Sequence, residues 1–193
     1  MKRMLRRWGV NKRIVDAVDH LNCSVCGQVK RHDHPNKSSF LHSTQFNENV
    51  FVDELEVTLS DGTNILMMMM LDDASSFRVV VPVSGKRTIT ADRAKAAYTI
   101  GWLNWAGPPD HLHVDALKSH LSSEFADAVE GTSTLLGVIP AESPHLKARV
   151  ERAIDFFKEL FVKVDNECNL TADDDMDKVA AVISSICNNH LRK

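Results

Sequence analysis

No apolar run in this chain approaches the roughly 20 residues that span a bilayer. The longest, Ile65 to Leu71, is the size of a strand. The N-terminus, MKRMLRRWGVNKR, is basic but has no apolar stretch behind it, so it is not read as a secretory signal. Cysteine is too sparse for a disulfide framework: one close pair, Cys23 and Cys26, and two singles, Cys168 and Cys187. That usage fits a reducing compartment, and the expectation is a nuclear or cytoplasmic protein that is not secreted and makes no membrane contact. The sequence also lacks internal repeats and low-complexity segments.

What is present suits a globular protein. Hydrophobic residues make up 44% of 193 and charged residues 25%, enough for one domain of about 150 residues and a small appendage. The net charge of −3 conceals an asymmetry. Residues 1–39 carry nine Lys or Arg against three Asp or Glu, and the remainder carries 14 against 23. A basic lead on an acidic body is compatible with nucleic-acid contact through the lead. A solvated terminal arm accounts for the charge equally simply.

Periodicity gives the element order. Residues 9–21 place Ile14, Val15, Val18 and Leu21 at helical spacing, and residues 33–45, polar and broken by Pro35, read as a linker. Three strands follow, Val50 to Leu59, Ile65 to Leu71 and Phe77 to Val83, with Asp61-Gly62 as a hairpin turn between the first two. Thr88 to Trp105 reads as a helix with Ala91, Ala94, Ala97, Ile100 and Leu103 inward. His111 to Val114 is a strand that delivers Asp115, Leu121 to Val129 a helix, and Leu135 to Ile139 a strand. Pro144 to Val162 is a long helix. The last helix is expected to begin at a capping box of Thr171 and Asp174, with Met176, Val179, Ala180, Ile183, Ile186 and Cys187 on its apolar face. The order predicts a mixed sheet with helices on its faces, an α/β fold.

Three acids stand out within this frame. Asp53 lies in the first strand, Asp115 at the end of the fourth, and Glu151 in a helix that must pack on the sheet. If the first and fourth strands are neighbours, their acids converge and the helix can bring Glu151 over them. Carboxylates at one spot repel unless cations neutralise them, which is why such clusters take Mg²⁺ or Mn²⁺. The spacing alone decides nothing, because among 26 acidic residues some pair 36 positions apart is nearly certain.

The words around the acids carry more. Phe51-Val52-Asp53 with Leu71-Asp72-Asp73-Ala74-Ser75, then His113-Val114-Asp115 with Ser119-His120-Leu121-Ser122-Ser123-Glu124-Phe125, then Pro140-Ala141-Glu142 leading to Arg149-Val150-Glu151-Arg152, resemble the Asp, Asp and Glu segments of retroviral and retrotransposon-type integrases. Thirty-five residues separate Asp115 from Glu151, as in that family. The resemblance covers roughly residues 46–190. It implies a ribonuclease-H-like mixed five-stranded sheet flanked by helices. It also implies a polynucleotidyl transferase and nuclease, in which Asp53, Asp115 and Glu151 are catalytic and hold Mg²⁺ or Mn²⁺ for DNA 3′-end processing and strand transfer. DNA and a second copy of the chain are the implied partners. The division becomes residues 1–32, a helical segment with a remnant of a zinc module; 33–45, a linker; and 46–193, the catalytic domain.

The chain also departs from that family. Ala116, Leu117 and Lys118 stand where it has a small Gly after the second Asp. Leu146 and Ala148 occupy the places of a Gln and a Gly in the loop that engages the DNA end. Leu lacks the hydrogen bonds of Gln, and Ala lacks the backbone freedom of Gly. Cys23 and Cys26 resemble half of the family's zinc module without its His pair. His20, His32 and His34 are nearby substitutes, but zinc needs four ligands, and well under one zinc per chain is expected in a stoichiometric metal assay. Lys147, Arg149 and Arg152 flank Glu151 and could meet DNA phosphates; a solvated helix face with Arg152 paired to Asp155 is the plainer alternative. Asp72 and Asp73 are read as a strand-end turn, Met67 to Met70 as a buried strand, and Trp102 and Trp105 as core or partner surface. Two functions stay open: an integrase catalytic core, or a decayed or repurposed fragment that binds nucleic acid or protein without catalysis.

Overall fold

The computed structural model describes residues 11–17, 43–83, 89–115, 123–139 and 144–190. The chain divides into two compact units, Met1–Asn36 and Lys37–Lys193. In the first, helix α1 (Lys12–Ala17) is described, opened by Asn11, whose Oδ1 accepts from the Arg13 N–H at 3.0 Å. The remainder of the helix expected over 9–21, together with Cys23, Cys26 and the three substitute histidines, lies outside the described residues.

The second unit is built on a sheet of order β3-β2-β1-β4-β5. Strands β1 (Asn49–Thr58), β2 (Asn64–Asp72) and β3 (Arg78–Pro82) form an antiparallel meander. Strands β4 (His111–Asp115) and β5 (Leu135–Ile139) add on in parallel. The β1–β2 hairpin turns where Asp61-Gly62 predicted, with Gly62 at φ 87° and its N–H on the Leu59 carbonyl.

Side chains alternate across a strand, and β1 and β2 send alternate residues into two cores. Phe51, Leu55, Met67 and Met69 pack with Val150, Ile154, Phe157 and Phe161 of α4 (Pro144–Cys168) and Ile183 and Cys187 of α5 (Met176–His190). Val50, Val52, Met68 and Met70 pack on the other face with Ala94, Ala97 and Tyr98 of α2 (Ala91–Tyr98) and Phe125 of α3 (Ser123–Glu130). All four methionines are 0% exposed, which explains why β2 reads as an unbroken apolar run instead of alternating.

Two helices depart from their expected outlines. After α2 the backbone continues through a π-helical stretch, Thr99–Leu103, into a last turn, Asn104–Ala106. The wider π turn shifts the phase of the helix. Ile100, expected inward, is therefore 66% exposed, while Trp102 is fully buried. Gly101 is what lets this segment approach the sheet: a Cβ there would stand 2.7 Å from Val81 Cγ2. Helix α5 begins at Met176, beyond the expected capping box. Asp174 Oδ2 accepts from Thr171 N–H and Oγ1, but in a turn that precedes the helix. The helical cap is Asp175, whose Oδ1 accepts from the Lys178 N–H.

Helix α5 also shields the outer edge of β3. Asn188 accepts from the Arg78 N–H at 2.9 Å and donates to the Arg78 carbonyl at 2.8 Å. Ser184 Oγ accepts from the Val80 N–H. These side chains take the place of a further strand and satisfy backbone groups that an edge would leave unpaired.

Candidate active site

Strand β1 lies at the centre of the sheet, and its parallel register with β4 pairs Asn49 with His111 through Val52 with Val114. Pairing ends there, and Asp53 and Asp115 each follow the last pair by one residue. Both acids share the parity of Phe51 and His113, whose rings stack at 5.0 Å, so both belong to the face that α4 covers. Each is half-buried. Asp53 Oδ1 accepts from the Glu54 N–H at 2.8 Å.

The support beneath the pair is tightly fitted. His113 Nε2 lies 2.8 Å from Asn49 Oδ1, and Asn49 Nδ2 donates to Ser43 Oγ at 2.7 Å. The imidazole also lies over Gly137 of β5, where a Cβ would come within 2.8 Å of Nδ1. Burial, reinforced by the neighbouring His111, holds the His113 pKa below its ordinary value. That environment favours the neutral form of the ring.

The third acid comes from α4. This helix runs alongside β1 in the same direction: Arg149 meets Asp73 near the start of β1, and Asp165 Oδ2 accepts from the Ser60 N–H just past its end. Its rotation follows from its contacts. Residues advance about 100° around a helix axis. Val150, Ile154, Phe157 and Phe161 point into the core. Arg149, the Ala153 carbonyl (which accepts from Arg78) and Phe156 (under the Arg78 guanidinium) mark the flank toward β2 and β3. Glu151 stands on the opposite flank. It is exposed. Among the described residues, no three His, Cys, Asp or Glu side chains are close enough to form one metal-holding group. Asp53 and Asp115 follow the same end of neighbouring strands and Glu151 lies on α4, but the three do not form such a group.

With that geometry in view, solved structures give a comparison. The HTLV-2 integrase catalytic core domain, solved with magnesium in a dimeric form, superposes at TM-score 0.58 with 17% identity over 72% of this chain and 84% of that one. Its trimeric form gives 0.54, 16%, 75% and 82%. The simian T-cell lymphotropic virus intasome, in complex with PP2A regulatory subunit B56 gamma, gives 0.63 and 16% over 97% of this chain and 66% of that chain. This chain has the integrase catalytic-core fold. No family model and no curated protein matches it. The α/β, ribonuclease-H-like sheet expected from the sequence is therefore the sheet observed, at an identity where fold outlasts sequence.

Within the integrase-core fold the basic residues divide. Arg149 turns inward: Nη1 pairs with Asp73 Oδ1, and Nη2 donates to the Asp73 carbonyl at 2.7 Å. Two of its nitrogens thus face Asp73, a partner that the sequence reading did not anticipate. Arg152 is exposed, with Nε on the Ala148 carbonyl at 3.0 Å. Lys147 lies in the first turns of α4, and its side chain, like that of Leu146, is outside the described residues. Residues 116–122, with Lys118, are outside them too.

The Asp72–Asp73 turn gathers more than sequence reading foresaw. Asp72 Oδ2 accepts from the Ser75 N–H and Oγ, an Asx-type turn, and Oδ1 accepts from the Asn47 N–H. Asn47, at φ 69°, donates through Nδ2 to the carbonyls of Ala106 and Pro108 and accepts from Trp102 Nε1. The Asp-x-x-Ser spacing was a legible sign of the turn. The Arg149 and Asn47 partnerships, across tens of residues, left no local sign.

Proposed function

We propose that this chain is the catalytic core of a retrotransposon-type integrase, a polynucleotidyl transferase that cuts DNA 3′ ends with water and joins the new hydroxyl to target DNA. The observation that supports this reading is the β1–β4 register of an integrase-core sheet, whose last pair, Val52 and Val114, immediately precedes Asp53 and Asp115. Two adjacent carboxylates suit a hard divalent cation, because Mg²⁺ commonly takes one or two carboxylates and completes its shell with substrate phosphates and water. When bound, such an ion would neutralise phosphate charge and lower the pKa of an attacking water or hydroxyl. The chain's own part is positional. Asp53 and Asp115 would hold the ion on rigid strands, and Glu151 would approach from the flank of α4 as DNA fills the gap. Arg152 and Lys147, on the first turns of that helix, would meet the phosphates.

A second reading, a non-catalytic fragment that binds nucleic acid or protein, draws on the exposure of Glu151 and on Leu146 and Ala148 in the preceding segment. One experiment separates the two. Purified full chain is incubated with Mn²⁺ and a branched DNA substrate for strand transfer and its reversal, with Glu151→Gln in parallel. Product from the wild type alone supports the enzyme. Equal signals from both proteins, or none, favour the binding module.

A further inference from the structure

The first turns of α4 are held from the side opposite Glu151. Asp73 is 5% exposed, and all of its polar groups are engaged. Its N–H donates to the carbonyl of Asn49, the first residue of β1. Its Oδ2 accepts from the Ser43 N–H at 2.7 Å. Its Oδ1 and its carbonyl both receive Arg149. Asp73 is therefore locked to β1 four residues before Asp53, and it grips α4 two residues before Glu151.

We infer that Asp73, through Arg149, is a positioning residue for Glu151, fixing the roll of α4 so that the glutamate faces the Asp53–Asp115 pair. The inference rests on the reading of those three acids as the catalytic set. Its physical basis is the difference between apolar and directional contacts. Val150, Ala153, Ile154 and Phe157 hold α4 down on the sheet, yet apolar packing alone tolerates small rotations and slides. A guanidinium that bonds a carboxylate and a carbonyl at once has fixed direction as well as distance. Arg149 and Glu151 lie about 200° apart around the helix, so any roll released at one is delivered to the other. Displacement of a reacting group by 1 Å can cost about 100-fold in rate.

The test uses full-length wild type, Arg149→Met, Arg149→Lys and Asp73→Asn in Mn²⁺-dependent cleavage of a DNA duplex, with thermal melts alongside. The expected result is a kcat about 100-fold lower for Arg149→Met, with KM for DNA within about twofold. The Mn²⁺ needed for half-maximal rate should rise about 10-fold or more, as for lost support of a metal ligand. Arg149→Lys should recover part of both. A raised KM with unchanged kcat would make Arg149 a DNA contact and overturn the inference, as would an unchanged Mn²⁺ requirement. If Arg149→Met does not fold, Arg149→Lys and Asp73→Asn, assayed below their melting temperatures, decide by the same two readings. A wild type without Mn²⁺-dependent cleavage removes the underlying reading and the inference with it. An active wild type with unaffected variants removes the inference alone.

Discussion

Two groups of carboxylates lie along β1, and their surroundings are opposite. At its beginning, Asp72 and Asp73 are 0% and 5% exposed, and their oxygens are taken up by backbone N–H groups, a serine hydroxyl and a guanidinium. Further along, Asp53 and Asp115 are half-buried and Glu151 is exposed. The first group has its negative charge answered by the protein itself. The second lies nearer the surface. Deep burial with saturated hydrogen bonding marks Asp72 and Asp73 as structural acids.

That contrast can be broken by substitution, and the largest effects should fall on different observables at the two places. Glu151→Gln, or Asp115→Asn, should bring Mn²⁺-dependent strand transfer down to background while stability stays within about 0.5 kcal/mol of wild type, read by gel assay and urea titration. Chelation of the metal should do the same without any mutation.

Asp73→Ala should lower stability as well as rate. It leaves Arg149 half-buried without its carboxylate, and breaking such a pair from one side costs about 3–5 kcal/mol, visible as a lower urea midpoint at unchanged slope. Asp72→Ala and Asn47→Ala should each cost about 1–3 kcal/mol through buried groups left unsatisfied. Asn47→Gly should recover the backbone part of the Asn47 loss, because Gly adopts positive φ without strain, and the difference between the two variants isolates the side-chain bonds. If Asp73→Ala proves neutral in stability, the contrast between the two groups fails.

The smallest expected effect is one of reactivity. Cys187 is fully buried, and burial pushes its thiol up to about 11, with nearby Arg78 pulling the other way. The thiolate is the reactive form, so near pH 8 Cys187 should resist a thiol reagent until the chain unfolds, while exposed Cys168 labels in the native state. Quantifying modified peptides by mass spectrometry distinguishes them. Early labelling of Cys187 would mean that the α5 side of the core opens readily.

The strands were legible because their signals are local. Alternation in β1, the Asp-Gly turn and the apolar run of β2 each need only a few neighbouring residues, and Met67 to Met70 are buried as that run implied. Where a long-range contact overrides local periodicity, legibility stopped. The π turn at Thr99–Leu103 moved Ile100 outward because Trp102 packs inward and bonds Asn47, 55 residues away in sequence. The Asp73 partner of Arg149 was missed for the same reason, since it lies 76 residues away.

Sequence by itself determined the element order, the integrase-like words around Asp53, Asp115 and Glu151, and the altered residues Leu146 and Ala148 beside the last of them. Tertiary structure decided which elements meet. The β1–β4 register couples Val52 to Val114, just before Asp53 and Asp115, through backbone hydrogen bonds that no side chain encodes alone. The rotation of α4 puts Val150, Ile154 and Phe157 into the core and turns Arg149 to Asp73, with Glu151 on the other flank. A residue's type can be read from the chain, but its role depends on which neighbours the completed fold brings to it.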